Sequence, residues 1–344
     1  MARRKISFCS FNLFNLNEPG LPIYKDTDGW DRQIYDLKIA WTAAMLRIMK
    51  ADVFGFQELW HADSLAAALR AAGLDGDYTA VVPPGHAGQK IVCAAAVRSE
   101  ILTGMPVWIE AFPEDFILRS GGDDRQTGDI EVLIDSFSRP VLRLTVRPHD
   151  DAPEIVVFVC HFKSKAPTQI FRERWYDKTV HGRHAEAIGG ALSTIRRTAE
   201  ATALRMILTA EMKGTGTPVV VIGDCNDGQH SNTQNILTGQ PRFLTTLSVG
   251  GGDTDLYSAQ TLQQYRSERD VYYTHIHNDS RESLDHILVS QEFYDNSRRR
   301  IWAFDGLEIA NDHLNADDHK LSGTGDHGVV RATFVHRPAA GAVG

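Results

Sequence analysis

The stretch Thr217–Asp227, TPVVVIGDCND, decides how the rest of the chain is read. Val219, Val220, Val221 and Ile222 run straight into Gly223-Asp224-Cys225-Asn226-Asp227. A short β-branched run that ends in glycine and acids predicts a buried strand whose carboxyl end opens onto a polar site. Open α/β architectures place their chemistry at such ends. Asp224 and Asn226 are two residues apart, so extended geometry predicts that they face one side. The competing reading is a plain strand and turn, since Asp227-Gly228 is a common turn pair.

The surrounding 344 residues are 42% hydrophobic and 23% charged, ordinary for a globular chain, and support one large domain. The formal net charge of −8 argues against a polycation built for nucleic acid, though not against a local basic groove or a metal-supplied positive charge. Cys9, Cys93, Cys160 and Cys225 each sit in or beside an apolar run and form no CxxC pair, so they read as reduced, buried thiols with no zinc pattern. No stretch approaches the ~18 apolar residues of a membrane span, and MARRKISFCSFN lacks the apolar core of a signal peptide. A cytoplasmic location is expected; secretion of a processed form stays open. No obligate protein partner is evident.

Outward from the organising stretch, strands are expected at Lys5–Leu13, Val53–Phe56, Thr79–Val82, Ile91–Arg98, Pro106–Trp108, Pro140–Val146, Glu154–Cys160, Val271–His277, Leu284–Val289, Arg298–Phe304 and Gly328–Val335. Helical spacing covers Ile34–Met49 and Ser64–Ala72, and a long helix covers Arg183–Met212. Loops are expected at 17–29, 110–135, 165–182, 228–255 (with a small helix) and 311–325, and no repeat or low-complexity linker divides the chain. The pattern predicts a single domain over 1–338 with a short tail at 339–344. Its class is α/β (α+β): a four-layered sandwich of two packed, mostly antiparallel mixed sheets flanked by helices.

One arrangement recurs along this order, an apolar run followed by a polar signature. It marks Asn12, Glu58, His161, Asp224 with Asn226, Asp285, and Asp326-His327. Each alone has a bland explanation, because a lone histidine or glutamate after a strand is usually surface or packing. Together their chemistry is coherent. Glu58 and Asp326 suit a hard cation such as Mg2+ or Mn2+. Asn12 and Asn226 can orient a phosphate oxygen or a water without adding charge. His161 and His327 can carry a proton near neutral pH. Asp285 can orient His327, and Lys163 can neutralise a phosphate oxygen. Phosphoryl transfer to water asks for this set: a metal, an activated water, and donors aimed at developing charge.

These motifs resemble the endonuclease/exonuclease/phosphatase superfamily, which includes deoxyribonuclease I and exonuclease III. The match runs in order from residue 6 to about 335, and Gly223–Asn226 and Asp326-His327 are its most specific parts. Asn12–Leu16, His161–Lys165 and Ser283–Ser290 resemble the bacterial deoxyribonuclease-I-like branch most. The resemblance implies a four-layered sandwich and metal-dependent phosphoester hydrolysis. It implies that Glu58 is the principal metal ligand, with Asn12 and Asp326 nearby. Asp224 and Asn226 would position water and phosphate, Asp285-His327 would act as the acid/base pair, and His161 would stand near the leaving oxygen; Asn12, Lys163 and Asn226 would contact substrate. Three residues depart from the pattern: Gly325 replaces a serine, Cys225 replaces an aromatic or leucine, and Gly88–Ile91 offers no acid to support His161.

A Mg2+-dependent phosphodiesterase or nuclease acting on DNA or RNA is the first functional reading, with Mn2+ and Ca2+ as other metals. Between Lys163 and Arg205 nine basic residues face four acidic ones, with Phe162, Phe171, Trp175 and Tyr176 among them. That composition suits a nucleic-acid backbone and unstacked bases, and equally suits the solvated face of a long helix. Tyr272, Tyr273, His275 and His277 also fall near the site in sequence, some of them as strand packing. The alternative is a hydrolase of a small-molecule or lipid-linked phosphoester working with the same site. A non-catalytic binding module is the third, disfavoured by the full set of polar groups.

Overall fold

The computed structural model describes residues 5–24, 27–121, 126, 128–242, 252–267, 273–316, 318–319 and 321–340. In chain order the elements are β1 (Lys5–Leu16), α1 (Arg32–Met49), β2 (Val53–His61), α2 (Ala62–Ala72), β3 (Tyr78–Val81), β4 (Ala87–Arg98), β5 (Leu102–Ala111), β6 (Arg119–Ser120), β7 (Ile130–Glu131), β8 (Ser136–Val146), β9 (Ile155–His161), α3 (Lys178–His181), α4 (Ala185–Met212), β10 (Val219–Asp224), α5 (Asn232–Thr238), β11 (Tyr257–Ser258), α6 (Ala259–Arg266), β12 (His275–His277), β13 (Ser280–Glu282), β14 (Asp285–Val289), β15 (Trp302–Ala310) and β16 (Val329–His336).

Twelve strands form two six-stranded sheets, ordered β15-β16-β1-β2-β4-β3 and β11-β14-β10-β9-β8-β5. Each sheet has one parallel pair near its centre, β1 with β2 and β9 with β10, and its other pairings are antiparallel. Val220 and Ile222 of β10 bury into the core between the sheets with Phe8, Val53 and Val159. Val219 and Val221, on the opposite face, pack with Leu204 and Leu208 of α4. Strands buried on both faces read as continuous apolar runs, which is why VVVI carries no alternation. On the other sheet, Phe54 and Phe56 pack with Leu46 of α1 and Leu65 of α2. The result is helix, sheet, sheet, helix, as expected. The sheets approach closely at Gly55, where a Cβ would stand 2.9 Å from Ile222 Cγ2.

Several elements differ from the sequence reading. The expected strand at Arg298–Phe304 begins later and runs on to Ala310. Within 110–135, β6 and β7 pair as a small hairpin. The stretch between the expected strands Val271–His277 and Leu284–Val289 contains β13, paired with β12 around Asn278 and Asp279, both at positive φ. Two-residue hairpin loops demand that conformation, and Asn and Asp tolerate it. Val271 and Tyr272, and residues 341–344 of the expected tail, lie outside the described residues. All four cysteines are buried and free. Among the described residues no helix is long and apolar enough to cross a membrane.

Candidate active site

The two parallel pairs point their carboxyl ends at one edge of the sandwich. Asn12 lies in β1 just before its bulge, Glu58 stands near the end of β2, His161 ends β9 and Asp224 ends β10. Antiparallel neighbours start at the same edge, so Asp285 opens β14 and Asp326-His327 precede β16. These last residues therefore stand before their strands, not after an apolar run as the sequence pattern suggested.

Both strands of the first sheet bulge where they reach the edge, between Asn12 and Leu16 and between Phe56 and Leu59. Phe14, Asn15 and Glu58 take positive φ there, as does Asn226 beyond β10. Non-glycine residues held in this region concentrate where a side chain must be re-aimed. The bulge is clamped by two indoles: Trp30 Nε1 donates to the Asn15 carbonyl at 2.7 Å and Trp60 Nε1 to Asn15 Oδ1 at 2.9 Å. The Asn15 N–H then donates to Glu58 Oε2 at 3.0 Å.

Around this frame the expected residues meet. Asn12 Nδ2 donates to Asp224 Oδ2 at 3.2 Å, and Asn12 Oδ1 accepts from the Phe14 N–H at 2.9 Å. His161 Nε2 stands 3.5 Å from Asp224 Oδ2 and 4.0 Å from Glu58 Oε1. Asn226 and Asp224 do come together, although not by strand alternation: the Asn226 N–H donates to Asp224 Oδ1 at 2.8 Å across a turn. Asn226 Nδ2 donates to the Phe162 carbonyl at 3.1 Å. His327 Nδ1 is 2.8 Å from Asp285 Oδ2, and His327 Nε2 is 3.9 Å from Asp224 Oδ2. Lys163 turns its ammonium onto its own loop, at Ser164 Oγ and the Ala166 carbonyl.

Burial and charge set the protonation. Burial alone would lower the His327 pKa, but the Asp285 and Asp224 charges and the Asp285 hydrogen bond overcome it and hold the imidazole well above its ordinary value. His161 goes the other way: burial, then the positive charge of Arg139, keeps it well below, so it stays neutral. Its Nδ1 is buried without a hydrogen-bond partner. Burial raises Asp224 to about 7. Burial and the charge of Asp326 raise Glu58. A buried carboxylate crowded by another is a site short of positive charge. Glu58, Asp326 and the Asn12 amide are hard oxygen donors that fit a divalent cation placed among them.

Four participants were not read from the sequence. Arg139 of β8 donates to the Phe162 carbonyl at 3.2 Å and carries charge toward Glu58 and His161. Lys38 of α1 is buried with its ammonium over the Phe14 and Trp30 rings, at 4.8 and 4.7 Å. Burial lowers its pKa to about 8 against the pull of Asp326 and Glu58. Tyr24 is half-exposed, packs edge-on to Trp60, and feels the charges of Glu58, Arg139 and Asp326. Glu200 of α4 is fully buried and accepts from the Ser138 and Lys163 N–H groups at 2.8 and 2.7 Å. It ties β8 to the chain leaving His161.

The basic 163–205 segment is divided: Arg172, Arg174, Lys178 and Arg183 are exposed, while other cations serve the structure. Lys165 pairs with Glu282 at 2.6 Å. Arg197 is 4% exposed and binds Asp227 and the carbonyls of Lys163 and Ser164. Arg205 pairs with Asp255. Phe171 and Trp175 remain more than half and half exposed, respectively.

A sandwich whose parallel-strand ends gather carboxylates, amides and an Asp–His pair defines a hydrolase acting on phosphoesters. The chain belongs to the endonuclease/exonuclease/phosphatase family, whose sequence profile matches residues 9–327. Among solved structures it is similar to the human Nocturnin catalytic domain with bound sulfate, at 15% identity and TM-score 0.55, covering 98% of this chain and 97% of that one. It is also similar to truncated Caenorhabditis elegans TDP2, at 12% identity and TM-score 0.53, covering 96% and 97%. The mannosyl-6-phosphatase of Bacteroides thetaiotaomicron matches at 15% identity and TM-score 0.51, covering 96% and 99%. At these identities the likeness carries the fold alone. No curated protein sequence matches.

Proposed function

We propose that the protein is a divalent-metal-dependent phosphodiesterase that cleaves its substrate by attack of water at the edge formed by Asn12, Glu58, His161, Asp224, Asp285, Asp326 and His327. The observation that carries this reading is the convergence of these residues, from both sheets, around two mutually repelling carboxylates. Glu58, Asp326 and Asn12 would hold the metal, Mg2+ or Mn2+. When bound, it supplies Lewis-acid polarisation of the phosphate and charge neutralisation. Asp224 is the candidate base for water, because its raised pKa places it near neutrality. The His327 imidazolium, oriented by Asp285, offers positive charge and a proton to the phosphoryl oxygens. Neutral His161 and the Asn226 amide orient the phosphate, and Arg139 adds charge from the second sheet. Residues 1–338 act as one catalytic unit, supported by the core that the two sheets share. Four buried thiols without a disulfide favour a reducing compartment such as the cytoplasm.

Nucleic acid is the substrate class favoured by the exposed aromatics Phe171 and Trp175 on the segment that follows His161. A second reading, a small phosphoester, is favoured by Tyr24, an aromatic side chain close enough to Glu58, Arg139 and Asp326 to feel their charges. One assay separates them: purified protein with Mg2+ or Mn2+ against plasmid DNA and, in parallel, bis(p-nitrophenyl) phosphate, with Asp326→Ala as control. Nicking lost in the variant supports a nuclease. Turnover of the small diester with intact plasmid supports the second reading, and turnover of neither refutes both.

A further inference from the structure

The hairpin that carries His275 is fixed to the site by its own backbone. Thr274 is fully buried. Its carbonyl accepts from the Gly328 N–H at 2.7 Å, directly after His327. Its hydroxyl oxygen accepts from the N–H groups of Leu284 and Asp285, at 2.9 and 3.2 Å. On the other side, Asn311 Nδ2 donates to the Tyr273 carbonyl at 2.9 Å. These bonds hold His275 opposite His327, with ring centroids 4.9 Å apart and planes tilted by 45°. His275, Asp326 and His327 each bring one ligand atom to within 4.8 Å of the other two.

The donor set differs from that at Glu58. Two imidazoles and one carboxylate suit a borderline ion such as Zn2+, Ni2+ or Co2+, whereas Mg2+ and Mn2+ prefer oxygen. His327 is already arranged as a ligand of that kind. Asp285 holds its Nδ1 at 2.8 Å, and Nε2 stands beyond hydrogen-bond reach of Asp224 at 3.9 Å. A carboxylate on the far nitrogen is the outer support that metal-bound histidines characteristically have. Three carboxylates, Asp224, Asp285 and Asp326, also surround this imidazole and favour a cation at its edge.

We infer that His275, Asp326 and His327 form a second cation site, selective for a borderline transition-metal ion and distinct from the hard-cation position at Glu58, with Asp326 common to both. It goes beyond the hydrolase reading, which needs the Glu58 position and the proton on His327; a cation at Nε2 takes that proton's place, so filling this site suspends the proton-donating role of His327.

Co2+ tests this directly, because its visible absorption reports nitrogen ligation without any turnover. The full chain is stripped with a chelator, held in excess Mg2+, and titrated with Co2+. One Co2+ per chain with the strong band of a low-coordinate, imidazole-ligated ion is expected. His275→Ala and His275→Gln should weaken Co2+ binding roughly tenfold or more and remove the band, while Glu58→Gln and His277→Ala should keep it. Only the weak spectrum of aqueous Co2+ in the wild type, or a band unchanged in both His275 variants, would overturn the site. Mg2+-supported diester hydrolysis, followed before Co2+ is added, tests the hydrolase reading separately, since the absorption does not depend on it.

Discussion

The 2.8 Å contact between Asp285 and His327 puts a negative charge against the one imidazole of the site held as a cation. His327→Ala is expected to lower kcat by about 10²-fold or more, with an unchanged circular dichroism spectrum. Asp285→Asn, which keeps the shape and removes the charge, should lower kcat and move the basic limb of its pH profile to lower pH; an unmoved limb would count against the pairing. Sequence reading placed these two residues together through the order of motifs, and the structure brings them together in space. It could not place Tyr24, Lys38 or Arg139. Tyr24 comes from the loop after β1, Lys38 from a face of α1 and Arg139 from near the start of β8, and none of these placements has a local signature. Glu58 and Asn226 were legible as residue types, but the positive φ that aims them was not.

At the scale of elements, the long helix α4 misled in one respect. Its charges suggested a solvated face, yet Arg197 and Glu200 point inward and bond the backbone at Lys163 and Ser164. Helical periodicity cannot distinguish a buried charge with backbone partners from an exposed one. Glu200→Ala would leave the part-buried N–H groups of Ser138 and Lys163 without their acceptor, at a cost of about 1–3 kcal/mol in denaturant unfolding; a loss below about 0.5 kcal/mol would contradict this role. Gly55→Val tests the close approach of the sheets at this position. With Cβ at 2.9 Å from Ile222 and 3.1 Å from Val159, overpacking should destabilise by about 1–3 kcal/mol. The strands themselves were readable wherever an apolar run was buried on both faces. β13 was missed because it is three residues long and polar.

For the molecule as a whole, the cluster couples stability to pH and to metal. Burial raises Asp224 from 3.8 to about 7 in the folded chain. A carboxyl that keeps its proton more tightly when folded contributes stability that is fully present below the unfolded value and lost as pH rises through the folded one. The metal-free protein should therefore lose part of its stability between about pH 4 and pH 7. His161, held neutral by burial, acts oppositely: its contribution is present above 6.5 and lost as pH falls. Comparing Asp224→Asn with wild type isolates the first effect: the difference in Tm between them should grow with pH across that range, and a constant difference would contradict the burial of this carboxyl. A divalent metal that binds only the folded state should raise Tm with its concentration.

The central claim is that this carboxylate edge hydrolyses phosphoesters only with a divalent ion in place. The most direct measurement is the initial rate of bis(p-nitrophenyl) phosphate hydrolysis by chelator-stripped protein, before and after adding Mg2+ or Mn2+, with Glu58→Gln alongside. The expected result is no turnover when stripped, recovery with metal, and no recovery in Glu58→Gln. Hydrolysis that persists in chelator, or a Glu58→Gln variant that recovers like wild type, would contradict it.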